Sequence, residues 1–363
     1  MNLVVLGLAI LLAAAGGFVG LGVLHDAQLR RDNRRLEVAR RALASVLFDD
    51  GAAAAAAHST LLRTPKSLLL RIVQSVAVDL GDAAYDRLRG IVVDAALPKR
   101  IHVLARSRSW RRRVQAAHLQ NLLPDDDPRR SRLFEDPHPL VRARAAESLP
   151  CDDVGPNAEL LLRMLDDPVQ SVRVGAQQAL LRGDARIAEP LCEYLWGGAR
   201  LGTSLALETA ANLPDPRYGP VLRHHADDPD PVRRAMVAHA LGAGTTLEGL
   251  PTLERLMADV DADVRAAAAG AVATLAATEL VGALGRLLSD ASWSVRREAG
   301  RALDSLGAPG AVVLRAHLFD DDRYARDMAH QILDAAAARH RQPAVIVPDA
   351  LPSLEAFLGS SGA

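Results

Sequence analysis

The sequence predicts an all-α chain: an open stack of two-helix units, a solenoid, preceded by one transmembrane helix. Three observations carry this. A pattern centred on an Arg behind a buried-type residue returns about every 31 residues, as Trp110-Arg111, Val141-Arg142, Val172-Arg173, Val232-Arg233, Val264-Arg265, Val295-Arg296 and Ala325-Arg326. A fixed period of that length marks stacked supersecondary units rather than a closed globule. Residues 3–24 contain no charge and no Pro. Apolar residues make up 49% of the 363, yet aromatics only 3%. The interior is therefore built from Ala, Leu and Val, and stability accumulates along the array through neighbouring layers.

In chain order, the first element is the apolar run at 1–25, read as a membrane anchor. Twenty-two residues at about 1.5 Å each span about 33 Å, enough for a bilayer core of about 30 Å. Arg30, Arg31, Arg34, Arg35, Arg40 and Arg41 follow it. Positive flanks stay in the cytoplasm, so the expectation is a single-pass protein of a bacterial inner membrane, N-terminus outside and repeats inside. The same basic run suits anionic lipid. Gly16 and Gly20 form a GxxxG spacing, a route to a homodimer. Ala13-Ala14-Ala15 also reads as a cleavage site, which leaves secretion as an alternative.

Residues 26–58 read as a basic juxtamembrane helix and an Ala-rich linker, in which Gly51 and Ala52–Ala57 are a break or a featureless helical turn, and 59–97 as a divergent helical cap. The repeats proper occupy 98–340. Each has a short first helix, a turn rich in Asp and Pro, and a longer second helix. Asp before a helix caps its free N–H groups, and Pro fits the first helical position. Leu149-Pro150, Leu213-Pro214, Gly242 and Gly307 are read as stops of the second helices. Within those helices apolar residues fall at 0, +4, +7 and +8, as in Val172, Ala176, Ala179 and Leu180, which lays one stripe toward the neighbours. The unit near Leu241 fits less well, with His239 at or beside that stripe. Residues 341–363, with Pro343, Pro348 and Pro352, read as a flexible tail.

The turn Asp-Pro or Asp-Asp followed by Val-Arg-x-x-Ala-x-x-Ala-Leu resembles the HEAT repeat, in the short form found in bacterial proteins of the phycobilisome-lyase type. The resemblance covers 98–340, with weaker cover from 65. It implies a right-handed α-solenoid with the second helices on the concave side. It also implies a ladder of ion pairs between turn Asp and the repeated Arg111, Arg142, Arg173, Arg233, Arg265, Arg296 and Arg326. The fourth unit departs, with Ala206 where Arg is expected and Trp196-Gly197-Gly198 in its turn, which puts a bend or a binding notch there.

Net charge is −1, which gives no case for nucleic acid. Cys151 and Cys192 have no metal-ligand spacing and fit a reducing compartment. The acidic triplets Asp125-Asp126-Asp127 and Asp320-Asp321-Asp322 read as caps, and His224-His225 beside Asp227-Asp228 lacks a ligating pattern. No metal or other cofactor is expected. HEAT-like deoxyhypusine hydroxylases carry His-Glu pairs, and this chain has no His-Glu dipeptide. Positions +2, +3 and +6 of the second helices are expected to face the concavity, offering Arg112, Arg113, Arg144, Arg234, Arg297 and Arg301 to an acidic or phosphate-bearing partner. The reading is a membrane-anchored scaffold or adaptor for a protein partner, for example a membrane enzyme such as a glycosyltransferase. The alternative is an enzyme or enzyme subunit related to the chromophore lyases.

Overall fold

The computed structural model describes residues 33–76, 82–123, 131–198, 200–244 and 246–341, and among these there is no strand. The chain divides into two compact units, residues 1–184 and 185–363. Both are built from helix pairs, as an α-solenoid requires. The apolar run 3–24, Gly16, Gly20 and the tail from 342 lie outside the described residues. No described helix is long and apolar enough to cross a membrane.

Unit 1 opens with α1 (33–48), which buries Ala39, Ala42, Leu43 and Leu47. The stretch Ala52–Ala57 takes the helical alternative rather than the break. It starts α2 (Ala52–Arg63), because Ala is the strongest helix former and Gly51, at φ 79°, ends the preceding chain direction. Then come α3 (Lys66–Val76), α4 (Asp82–Asp94), α5 (Pro98–Ala105), α6 (Trp110–Leu119), α7 (Pro139–Glu147), α8 (Cys151–Val154), α9 (Ala158–Met164) and α10 (Gln170–Leu180). The second helices α6, α7 and α10 pack side by side.

Unit 2 is the more regular. Its first helices are α11 (Ala188–Trp196), α13 (Gly219–His225), α15 (Leu250–Leu256), α17 (Val281–Leu287) and α19 (Ala308–Ala316). They alternate with second helices α12 (Thr203–Asn212), α14 (Pro231–Ala243), α16 (Ala262–Thr274), α18 (Trp293–Ser305) and α20 (Arg323–Arg341). The second helices form one layer, α12 on α14, α14 on α16, α16 on α18 and α18 on α20. The sequence stripe is the buried face: Val264, Ala268, Ala271 and Val272, then Val295, Ala299, Ala302 and Leu303, are all buried. Burial of such apolar surface is worth about 25 cal/mol per Å² and is the main source of cohesion.

One reading of the α14 unit is corrected and one is resolved. Gly242 does not stop the helix but lies inside it, where a Cβ would press on Cβ and Cα of Ala271 at 2.6 and 2.7 Å. Glycine is needed there because α16 crosses closely, not because the backbone turns. His239 is not on the stripe but beside it, exposed while Val237, Ala238, Ala240, Leu241 and Gly242 of α14 are buried.

Candidate functional site

The strongest recurring polar feature is an aspartate in the turn before most of the second helices, at Asp136, Asp167, Asp228, Asp259, Asp290 and Asp320. Asp259 shows its logic. Arg234 donates to its two carboxylate oxygens from Nε and Nη2, both at 2.8 Å. The Asp261 N–H donates to Oδ1 at 2.9 Å, and the Asp259 carbonyl in turn accepts from Arg265 Nη1 at 2.8 Å. Arg265 then grips Asp290 at 2.7 and 2.9 Å, Ser292 N–H donates to Asp290 Oδ1 at 2.8 Å, and Arg296 Nη1 donates to the Asp290 carbonyl at 2.6 Å. Unit 1 repeats the arrangement. Arg113 grips Asp136 at 2.7 and 3.0 Å, and Arg142 grips Asp167 at 2.8 and 2.9 Å. The planar guanidinium fits two carboxylate oxygens at once, which lysine could not do. Each aspartate thus orders its own turn and ties two consecutive second helices together.

Of the seven expected arginines, Arg142 and Arg265 grip the aspartate of the next turn, while Arg173, Arg296 and Arg326 donate to the carbonyl of the aspartate in their own turn. In α6 and α14 the rung belongs to Arg113 and Arg234, not to Arg111 and Arg233. The Val-Arg dipeptide misleads there, because Val232 is exposed while Val141, Val172, Val264 and Val295 are fully buried. What stays fixed is a guanidinium six residues after the turn aspartate, seen at Arg142, Arg173, Arg234, Arg265, Arg296 and Arg326. Arg233 instead reaches Asp228 within its own turn at 3.3 Å, and Arg111 lies over the Trp110 ring at 4.7 Å. The offset alone does not single out the arginine, since Asp227 also lies six residues before Arg233 and Arg113 reaches the Ser107 carbonyl rather than an aspartate's.

The ladder changes character in three places. The position 25 residues beyond Arg173 is Gly198, which has no carboxylate to offer. Asp228 faces buried His225, whose Nδ1 is 3.7 Å away and whose Nε2 donates to the Leu195 carbonyl at 3.0 Å. Asp320 is held by His317 Nδ1 at 2.7 Å, while Arg296 sits over the Tyr324 ring at 4.5 Å. In the divergent fourth repeat, Arg200 lies over the Tyr194 ring at 5.0 Å and folds across Gly197, and the Trp196 and His224 rings meet at 5.2 Å.

Electrostatics follow the geometry. The hydrogen bonds from Arg234 hold the Asp259 carboxyl below the ordinary carboxylate range. Burial pushes Asp290 up, but the hydrogen bonds from Arg265 and Ser292 bring it net below that range. Asp320 is lowered by the Asp322 N–H and then by His317. A folded pKa below the unfolded value of about 3.9 gives stability that is present above that value and lost as pH falls through the folded one. The expected result is intact helical ellipticity at pH 5 and progressive loss below about pH 4. Unchanged ellipticity at about pH 2, or loss beginning above about pH 5, would contradict this account of the rungs.

The arginines expected on the concave face separate into two groups. Arg113 and Arg234 are consumed as rungs. Arg112, Arg144, Arg297 and Arg301 are exposed. Arg144 lies 3.2 Å from Glu147, Arg301 3.9 Å from Glu298, and Arg297 4.7 Å from the Trp293 ring centre. His224 is exposed and His225 buried, so the two rings part. Among the described residues no three His, Cys, Asp or Glu side chains are grouped as metal ligands. Asp320 and Asp322 accept backbone N–H groups at 2.8 and 2.9 Å, as turn and cap residues do, while Asp125–Asp127 lie outside the described residues. Both cysteines are free, and burial raises the Cys192 thiol to about 11.

Residues 189–273 and 249–334 match the family model for HEAT repeats. The comparison with curated proteins returns no match. Among solved structures the chain is similar to an engineered protein, at 20% identity and TM-score 0.39, over 84% of this chain and 95% of the other. It is also similar to Kap121p bound to Pho4p, at 11% and 0.39, over 82% of this chain and 45% of that one. A third likeness is human deoxyhypusine hydroxylase in complex with glycerol, at 19% and 0.30, over 83% and 98%. The chain spans less than half of Kap121p. At such identities and scores the likeness carries nothing about activity or partners. Residues 189–334 match HEAT repeats, and the paired helices and Arg–Asp rungs of that stretch fit the match.

Proposed function

We propose that this chain is a scaffold that holds a protein partner at the cytoplasmic face of a membrane. The observation that carries the binding role is the exposed arginines, Arg144 in unit 1 and Arg297 and Arg301 in unit 2. Arg144, Arg297 and Arg301 are exposed on second helices whose opposite faces are fixed by core and rungs, so binding them costs little ordering. Such a set suits carboxylate or phosphate groups on the partner. The membrane tether rests on the uncharged run 3–24 and the arginines that follow it. A membrane enzyme is the partner class that a tethered array reaches best. Arg234, Arg265 and Arg296, each donating to the aspartate carbonyl of its own turn, follow every 31 residues, a length that favours the short, phycobilisome-lyase-like form of the repeat.

The test is cross-linking in native membranes, with identification of the captured protein. The variant R144A/R297A/R301A is expected to lose capture by at least about tenfold, since a few anchors carry most of an interface's energy. Its thermal midpoint should stay within a few degrees, because exposed pairs contribute about 0–1 kcal/mol. Full capture by that variant, or fractionation of the chain away from membranes, sinks the corresponding half of the proposal.

A further inference from the structure

One edge of unit 2, where each first helix turns into its second, is apolar in an unusual degree. Val232, Val260, Trp293, Phe319 and Tyr324 are 56%, 94%, 52%, 89% and 57% exposed there, and Trp196 and Leu201 lie on the same side. Only two other described large apolar side chains of unit 2 are exposed, Leu247 and Val312. Scattered apolar residues on a surface need no explanation, but concentration on one edge does. The second helices bearing these turns are neighbours in one layer, so at about 10 Å per helix the stretch from Val232 to Tyr324 runs about 30 Å.

The same turns carry the carboxylates of Asp230, Asp261, Asp263, Asp321 and Asp322. Three of them cap helices: Asp230 accepts from Val232 N–H, Asp261 from Asp263 and Val264 N–H, and Asp322 from Ala325 N–H. Capping uses one oxygen's lone pair and leaves the charge in place. Among nearby cations Arg233 lies 3.8 Å from Asp230 and offsets part of that charge, while Arg323 is engaged with Asp327 at 3.3 Å and Arg297 with Trp293. The edge is therefore apolar and acidic together, which disfavours an anionic bilayer as its cover.

We propose that this edge docks a protein segment in which large apolar residues alternate with Arg or Lys. The apolar side chains would cover Val260 and Phe319, and the cations would meet the flanking carboxylates. This surface meets the exposed arginines of the second helices at Arg297, which lies on Trp293, and does not rest on their role.

The test uses the full chain in phosphatidylcholine nanodiscs and two fluorescein-labelled helical peptides, one with Leu and Arg, the other with Glu replacing every Arg. Fluorescence anisotropy is expected to show binding of the Arg peptide and at least about tenfold weaker binding of the Glu peptide. V260S/F319S should weaken the Arg peptide at least about tenfold, with helicity unchanged because both side chains are exposed. Equal binding of the two peptides, unchanged affinity of the variant, or equal signal on empty discs would overturn the proposal. So would self-association of the chain that V260S/F319S abolishes, since the occupant would then be a second copy.

Discussion

Replacing Arg265 by Ala is expected to destabilise the fold by about 3 kcal/mol, because it strands a carboxylate that is shielded from water. Arg265 and Asp290 have side-chain exposures of only 16% and 9%, so solvent replaces the lost partner poorly. The change also removes the donor to the Asp259 and Val260 carbonyls, at 2.8 and 3.1 Å. Urea unfolding followed by far-UV ellipticity measures the loss. Arg301→Ala is the control: its side chain is 66% exposed and 3.9 Å from Glu298, and it should cost under about 1 kcal/mol. The double variant R265A/D290A should be more stable than R265A, since no orphan charge is left. If R265A and R301A unfold together, the rungs do not hold the repeats as described.

Gly310→Ala is expected to be as damaging or worse, about 3 kcal/mol or more. A Cβ on Gly310 in α19 would overlap the Leu303 carbonyl oxygen and come within 2.9 Å of its Cα in α18. Backbone atoms of a packed helix cannot swing aside as a side chain can, so the two helices must separate. Gly282 in α17 offers the comparison, since a methyl added there would meet nothing within 4 Å. Gly282→Ala should be neutral or stabilising by up to about 1 kcal/mol, from helix propensity alone. Thermal melts of the two variants decide it: similar midpoints would mean that the α18–α19 spacing is not as tight as the geometry states.

Much of the fold is legible in the sequence, because the stripe at 0, +4, +7 and +8 is set by helix geometry and by burial alone. Val295, Ala299, Ala302 and Leu303 are buried for the reason their spacing suggests. Sequence and structure part over phase, not period. Val232-Arg233 copies the dipeptide of its neighbours, but the turn Asp228-Pro229-Asp230-Pro231 carries an aspartate whose six-residue reach ends at Arg234. A dipeptide is a local token, whereas the rung is a distance between a turn and a helix. Ala52–Ala57 stays open between break and helix for a different reason: low complexity gives no apolar stripe to read, although Ala favours helix more than any other residue. The acidic, apolar edge of unit 2 is not legible at all, since Val260 and Phe319 look like core residues until the turns place them outside.

The aspartate that receives a guanidinium from behind also gives its carbonyl to the arginine that reaches ahead. A gene duplication that adds one complete module therefore leaves every charge matched, because the newcomer accepts from one side and donates to the other. Loss of half a module strands one ion at each cut. Such a chain can be lengthened or shortened in whole modules at little energetic cost, and reach along its partner becomes a quantity that copying can tune.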